Sequence, residues 1–226
     1  MNRYISTIIM ALFILATVRA FSLQAGSTIL AQDLGEQRDS IPFLFYLGDL
    51  GRKHNCFFTI EAAWEEGEPI NQMEVHDVPR SEEKKSLGEG LEHLRLTVPY
   101  LEYEVNESNP RIIHIIDSRL RYRERYGLES TIKNIDFEGK VDYLVATIGN
   151  QGISVSPPKL FFIGEGSDRS TEVHVKGEGL KVREALTNFV PLKGRDGRFL
   201  WIARTKLGKG EVTHIHYPWP GKMTKQ

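Results

Sequence analysis

Two stretches of this chain follow the same order of residues at a spacing of 92 to 100 positions. Glu74-Val75-His76 recurs as Glu172-Val173-His174. Leu87, Leu91 and Leu94 recur as Val182, Leu186 and Phe189, each set ahead of a proline, Pro99 and Pro191. Tyr100-Leu101-Glu102-Tyr103 is matched by Phe199-Leu200-Trp201-Ile202, and His114-Ile115 by His214-Ile215. Any one match is weak, but their shared order and near-constant spacing point to a duplicated unit. Each copy must then build the same elements from a similar pattern. The reading places a first unit over 28–118, a connector over 119–130, a second unit over 131–219 and a tail over 220–226.

Within each copy the hydrophobic period alternates between two values. Val141, Leu144, Val145 and Ile148 follow the i, i+3, i+4, i+7 spacing of an amphipathic helix. Glu172 to Lys176 instead alternates, with Val173 and Val175 on one strand face and Glu172, His174 and Lys176 on the other. Ser86-Leu87-Gly88-Glu89 has the form of a capping box at the start of a helix carrying Leu87, Leu91 and Leu94. Strands are expected over 57–61, 73–78, 132–137 and 153–156, with a helix over 42–53 and closing hairpins over 100–117 and 199–217. The expected fold class is α+β, with the order (β)-α-β-β-α-β-β in both units.

That order, with Ile135-Asp136-Phe137 ahead of a helix, the turn Gly152-Ile153-Ser154-Val155 and the run Leu180-Lys181-Val182-Arg183-Glu184-Ala185-Leu186, resembles the short N-terminal domain of secretins and TonB-dependent receptors. The resemblance is best in the second unit and looser in the first. It implies a docking unit without catalysis, here as a free periplasmic or secreted module, and carries no functional residue with it.

The N-terminus agrees with export. Arg3 precedes Ile5 to Val18, an uncharged and mostly apolar run of 14 residues. Crossing a bilayer as a helix takes roughly 20 such residues. Val18-Arg19-Ala20 suits signal-peptidase cleavage, so residues 1–20 are read as a signal peptide, with retention as an anchor the alternative. Cleavage would leave no stable membrane span, and a bacterial source would make the compartment periplasmic or extracellular. Cys56 is the only cysteine, which excludes an intramolecular disulfide, and its place in Cys56-Phe57-Phe58 suits a small buried hydrophobe.

With 29 Lys and Arg against 30 Asp and Glu, the chain lacks the cationic excess that drives nucleic-acid binding. The segment Arg119-Leu120-Arg121-Tyr122-Arg123-Glu124-Arg125-Tyr126 is the local exception. It is read as a connector whose long side chains lie over apolar surface, rather than as an RNA or anionic-lipid contact. No phosphate-binding loop, nucleophile elbow or H-E-x-x-H motif occurs. His214 and His216 share a strand face, and His174 could join them as a zinc site, giving a metal-binding protein or metal-dependent hydrolase as the alternative.

The favoured reading has no catalytic residue and no cofactor. It is an exported, non-enzymatic interaction module of the cell envelope with an envelope protein as partner, contacting it through exposed strand edges. Trp201, Tyr217 and Trp219 are the candidate partner-binding aromatics.

Overall fold

A computed structural model describes residues 40–68, 73, 76–79, 86–123, 126–157, 171–192, 198–208 and 210–218. Expectations for residues 1–20, for Glu74 and Val75, and for Trp219 and the tail lie outside them.

The chain is α+β. From the N-terminus the elements are β1 (Ser40–Pro42), α1 (Phe43–His54), β2 (Phe57–Trp64), β3 (Asp77–Pro79), α2 (Leu87–Thr97), β4 (Leu101–Val105) and β5 (Ile112–Asp117). Two short 3-10 turns follow, Ser118–Leu120 and Gly127–Glu129. Then come β6 (Thr131–Lys140), α3 (Val141–Gly149), β7 (Val155–Ser156), β8 (Glu172–Lys181), α4 (Val182–Thr187), β9 (Phe199–Lys206) and β10 (Thr213–His216). Strand, helix, strand, strand, helix, strand, strand is thus the order on each side of the 3-10 turns.

Local signals account for the helix ends. The Ser86 hydroxyl accepts from the Glu89 amide while the Glu89 carboxylate accepts from the Ser86 amide, so the capping box is formed. Asn55 closes α1 in the left-handed region at φ 53°. Val141, Leu144, Val145 and Ile148 are all buried, as their spacing requires.

Three sheets form. β1 pairs antiparallel with β3, and β6 pairs antiparallel with β8, while six strands join in the order β4-β5-β2-β9-β10-β7. In that sheet β5 is parallel to β2, β2 to β9, and β10 to β7; the β4–β5 and β9–β10 pairs are antiparallel. The direction of the second set, β9-β10-β7, is therefore reversed relative to β4-β5-β2.

That reversal puts the two helix pairs on opposite faces of one sheet. Phe58, Ile60 and Ala62 of β2 join the core with Phe43 and Leu47 of α1 and Leu91 and Leu94 of α2. Phe57 and Ala63 of the same strand join the core with Leu144 and Ile148 of α3 and Leu186 of α4. Successive side chains on a strand point to opposite faces, so one strand serves both interiors. This is why Phe57–Ala63 and Ile112–Asp117 are buried without interruption.

The expectation of two units each closing its own interior is corrected here. The described residues from Ser40 onward form one compact unit, because β2 and β9 pair across the halves and share their cores. Among the described residues, no helix is long and apolar enough to cross a membrane.

Candidate functional site

Two of the three aromatic candidates, Trp201 and Tyr217, are core residues rather than contact residues. Trp201 lies on β9 with no exposed surface, its indole N–H 3.2 Å from the Thr187 hydroxyl. Tyr217 is equally buried and donates to the Leu186 carbonyl at 2.9 Å. Both expectations fall for one reason: α4 packs onto the face of β9 and β10 and takes the two rings as its floor. Trp219 is outside the described residues.

The three histidines are not brought together. His214 and His216 do share a face of β10, beside Ser156 and Arg204. Ser156 Oγ is 2.8 Å from His214 Nδ1, and an Arg204 guanidinium nitrogen is 3.3 Å from His216 Nδ1. His174 sits in the separate β6–β8 ribbon, 3.5 Å from Asp136 and mostly exposed. Among the described residues, no group of three or more His, Cys, Asp or Glu is arranged to hold a metal ion. A guanidinium next to His216 also opposes a cation there. Cys56 is buried, and burial, resisted by Arg198 and Arg111, pushes its thiol up.

The basic connector is packed onto the fold. Arg119 reaches Asp117 at 2.8 Å and Glu68 at 3.2 Å, with its guanidinium 4.4 Å from the Tyr100 ring centroid. Arg121 pairs with Glu102 and Glu104, and Arg123 with Glu211. Arg119, Arg121 and Arg123 are therefore each clamped by acids, and their charge is engaged within the molecule.

Buried polar residues lie on the face of β2 and β5 turned away from α1 and α2; Glu61, whose closeness to Glu65, Glu66 and Glu68 suggests solvated loop charge, is instead an interior strand residue. Glu61, fully buried, accepts from Arg183 at 2.6 and 2.8 Å and from the Tyr126 hydroxyl at 2.9 Å. Arg183 also pairs with Glu129. Burial works against the Arg183 charge, but Glu61 and Glu129 outweigh it and hold it above its ordinary value. Burial, then the Glu61 charge, pushes the Tyr126 phenol well up. One strand over, His114 Nδ1 lies 2.7 Å from the Thr59 hydroxyl and Nε2 lies 3.2 Å from Asn106 Nδ2. The detectable signal was a charged or titratable residue inside an apolar strand, in Phe57-Phe58-Thr59-Ile60-Glu61 and Ile112-Ile113-His114-Ile115-Ile116. These groups bind the halves to each other and are enclosed.

The accessible feature of the same face is its rim, at β4. Asn106 N–H donates to Ile112 C=O, and Ser118 N–H to Tyr100 C=O. Antiparallel pairs alternate, so Glu102 and Glu104 also turn their backbone groups toward β5, and Leu101, Tyr103 and Val105 turn theirs outward. Leu101 N–H is partly taken by Val98 C=O at 3.4 Å. The outward N–H and C=O of Tyr103 and Val105 meet no partner among the described residues. Val105 is 52% exposed, and Tyr103 is half-buried against the α1–α2 core.

The opposite end of the sheet is closed. The Ser154 carbonyl accepts from Thr213 of β10, so the Val155 carbonyl points outward, to the end of α3. A Cβ added at Gly149 would lie 2.5 Å from it, which is how closely the helix end covers β7. The β6–β8 ribbon is guarded differently. The Val141-to-Thr171 hydrogen bond sets the register in which Asp136, Glu138, His174 and Lys176 carry the outward backbone groups. Charged side chains at such positions discourage strand pairing. At β4 the residues with outward groups are apolar.

The chain matches no known family model, no curated protein and no solved structure.

Proposed function

We propose that this protein is a non-enzymatic interaction module that accepts an extended segment of an envelope partner along the free edge of β4. The single observation behind the reading is that edge: Tyr103 and Val105, the apolar-face residues of β4, offer outward N–H and C=O groups at an end of a six-stranded sheet that no other described strand covers. Main-chain hydrogen bonds to an added strand supply affinity without a preformed pocket, while side chains at alternate positions supply selectivity. Export by residues 1–20 would place the module in the periplasm or outside the cell. The likeness to the short N-terminal domain of secretins and TonB-dependent receptors belongs to the same proposal. It is supported by the strand, helix, strand, strand, helix, hairpin order in each half.

Val105→Pro tests the reading. It removes one outward N–H, at a position where proline is tolerated because no ladder bond is lost. Full-length protein should capture a defined envelope protein through an extended segment. The variant should lose that capture while melting within a few degrees of the wild type. Equal capture by both proteins would overturn the assignment to β4.

A further inference from the structure

The face of β4 adjoining its open edge carries two carboxylates at alternate positions, Glu102 and Glu104, with side chains 40% and 43% exposed. They share one guanidinium in ion pairs, Arg121, and the other cation that acts on Glu102, Arg95, is itself paired with Glu92, so the pair keeps a surplus negative charge. The molecule already contains an example of what meets such a face. By register Glu102 stands opposite Ile116, and Ile116 opposite Glu61, so the two glutamates flank β5 in one cross-strand row. Where the second half of the chain adds β9 to the edge of β2, it also brings Arg183 onto Glu61. The outer glutamate of the row, Glu102, stands on β4, whose other side meets no further strand among the described residues.

We infer that the segment accepted by β4 alternates apolar and basic residues, with two cations at i and i+2 facing Glu102 and Glu104. This rests on the docking reading of β4 and adds the chemistry of its partner. The spacing follows from strand geometry. Side chains two apart on an added strand fall on the carboxylate face, and the intervening residues fall beside Tyr103 and Val105. Opposite charges directly across strands stabilise the pair, whereas a second acidic strand would meet Glu102 and Glu104 with like charge. A second copy of this chain joined β4 to β4 would place those glutamates against each other, so the edge disfavours self-association. Arg121 competes with the incoming cation for the same two carboxylates.

Three nine-residue peptides in which valine alternates with lysine, with serine or with glutamate separate the outcomes. Binding to the full chain is measured by fluorescence anisotropy at low and physiological salt. The lysine peptide should bind about tenfold tighter than the serine peptide, with the glutamate peptide weakest and the spread shrinking in salt. Glu102→Gln with Glu104→Gln should abolish the preference, Arg121→Gln should enlarge it, and Val105→Pro should weaken all three peptides.

Equal lysine and serine affinities, or a preference that survives the double glutamine variant, would overturn the charge assignment while leaving the edge in place. Binding indifferent to Val105→Pro, or no binding of any peptide, would overturn the docking reading beneath it. Circular dichroism of each variant verifies that the fold is kept.

Discussion

His114 shows how much one enclosed side chain can make the fold depend on pH. Asn106 Oδ1 accepts from the Asn109 amide, which turns the Asn106 NH2 toward His114 Nε2. Nε2 therefore accepts, and Nδ1–H donates to the Thr59 hydroxyl, so the geometry suits the neutral ring. Burial, then the Arg183 charge, depresses its pKa from 6.5 to about 4; Glu104 and Glu129 pull weakly the other way. Between those values the unfolded chain binds the proton and the folded chain does not. Stability is thus complete above pH 6.5 and falls as the pH drops toward 4, by about 3 kcal/mol at most. Urea midpoints at pH 7.5 and 5.0 should fall further for the wild type than for His114→Gln. Parallel losses in the two proteins would show that His114 is not the group responsible. A histidine inside an apolar strand could be seen in the sequence, but its burial and its proton state depended on the sheet, whose register alone brings Asn106 and Thr59 beside it.

At the scale of elements, the contact between β2 and α4 concentrates on Glu61 and Arg183. Removing one partner strands the other charge inside, so Glu61→Met or Arg183→Met should each cost about 3–5 kcal/mol. Replacing both with methionine should cost less than the sum, and chemical denaturation of the four proteins in a double-mutant cycle measures the coupling. Strictly additive losses would mean that the pair does not act as a unit. α2 and α3 were legible because their signals are local: a capping box in one, a four-residue apolar stripe in the other. β6 and β8 run longer than alternation suggested. Their register omits Lys133 opposite Gly179, where φ is +66°. Such an irregularity breaks the alternating pattern without ending the pairing. The triplet Gly177-Glu178-Gly179 consequently lies inside a strand.

For the molecule as a whole, the decisive junction is β2 with β9. Because the reversed second half lays its helices across the back of β2 and β5, neither half alone covers Phe57, Glu61 and Ile112. A fragment spanning 40–123 should therefore remain unfolded or aggregate, and the full chain should unfold in one transition by both near- and far-UV circular dichroism. A soluble 40–123 fragment with dispersed amide resonances, or two separated transitions, would show that the halves are independent.

Local order is what the sequence determined by itself: an α+β chain, the strand-helix-strand-strand-helix-hairpin succession, and most of the apolar face of each helix. Those follow from hydrophobic period and capping chemistry, which act over a few residues. Tertiary structure alone decided that the halves fuse, that Trp201 and Tyr217 are interior, that the histidines stay apart and that β4 is the open edge. Each depends on which strand lies beside which, and pairing between residues 100 or more positions apart leaves no mark in local periodicity.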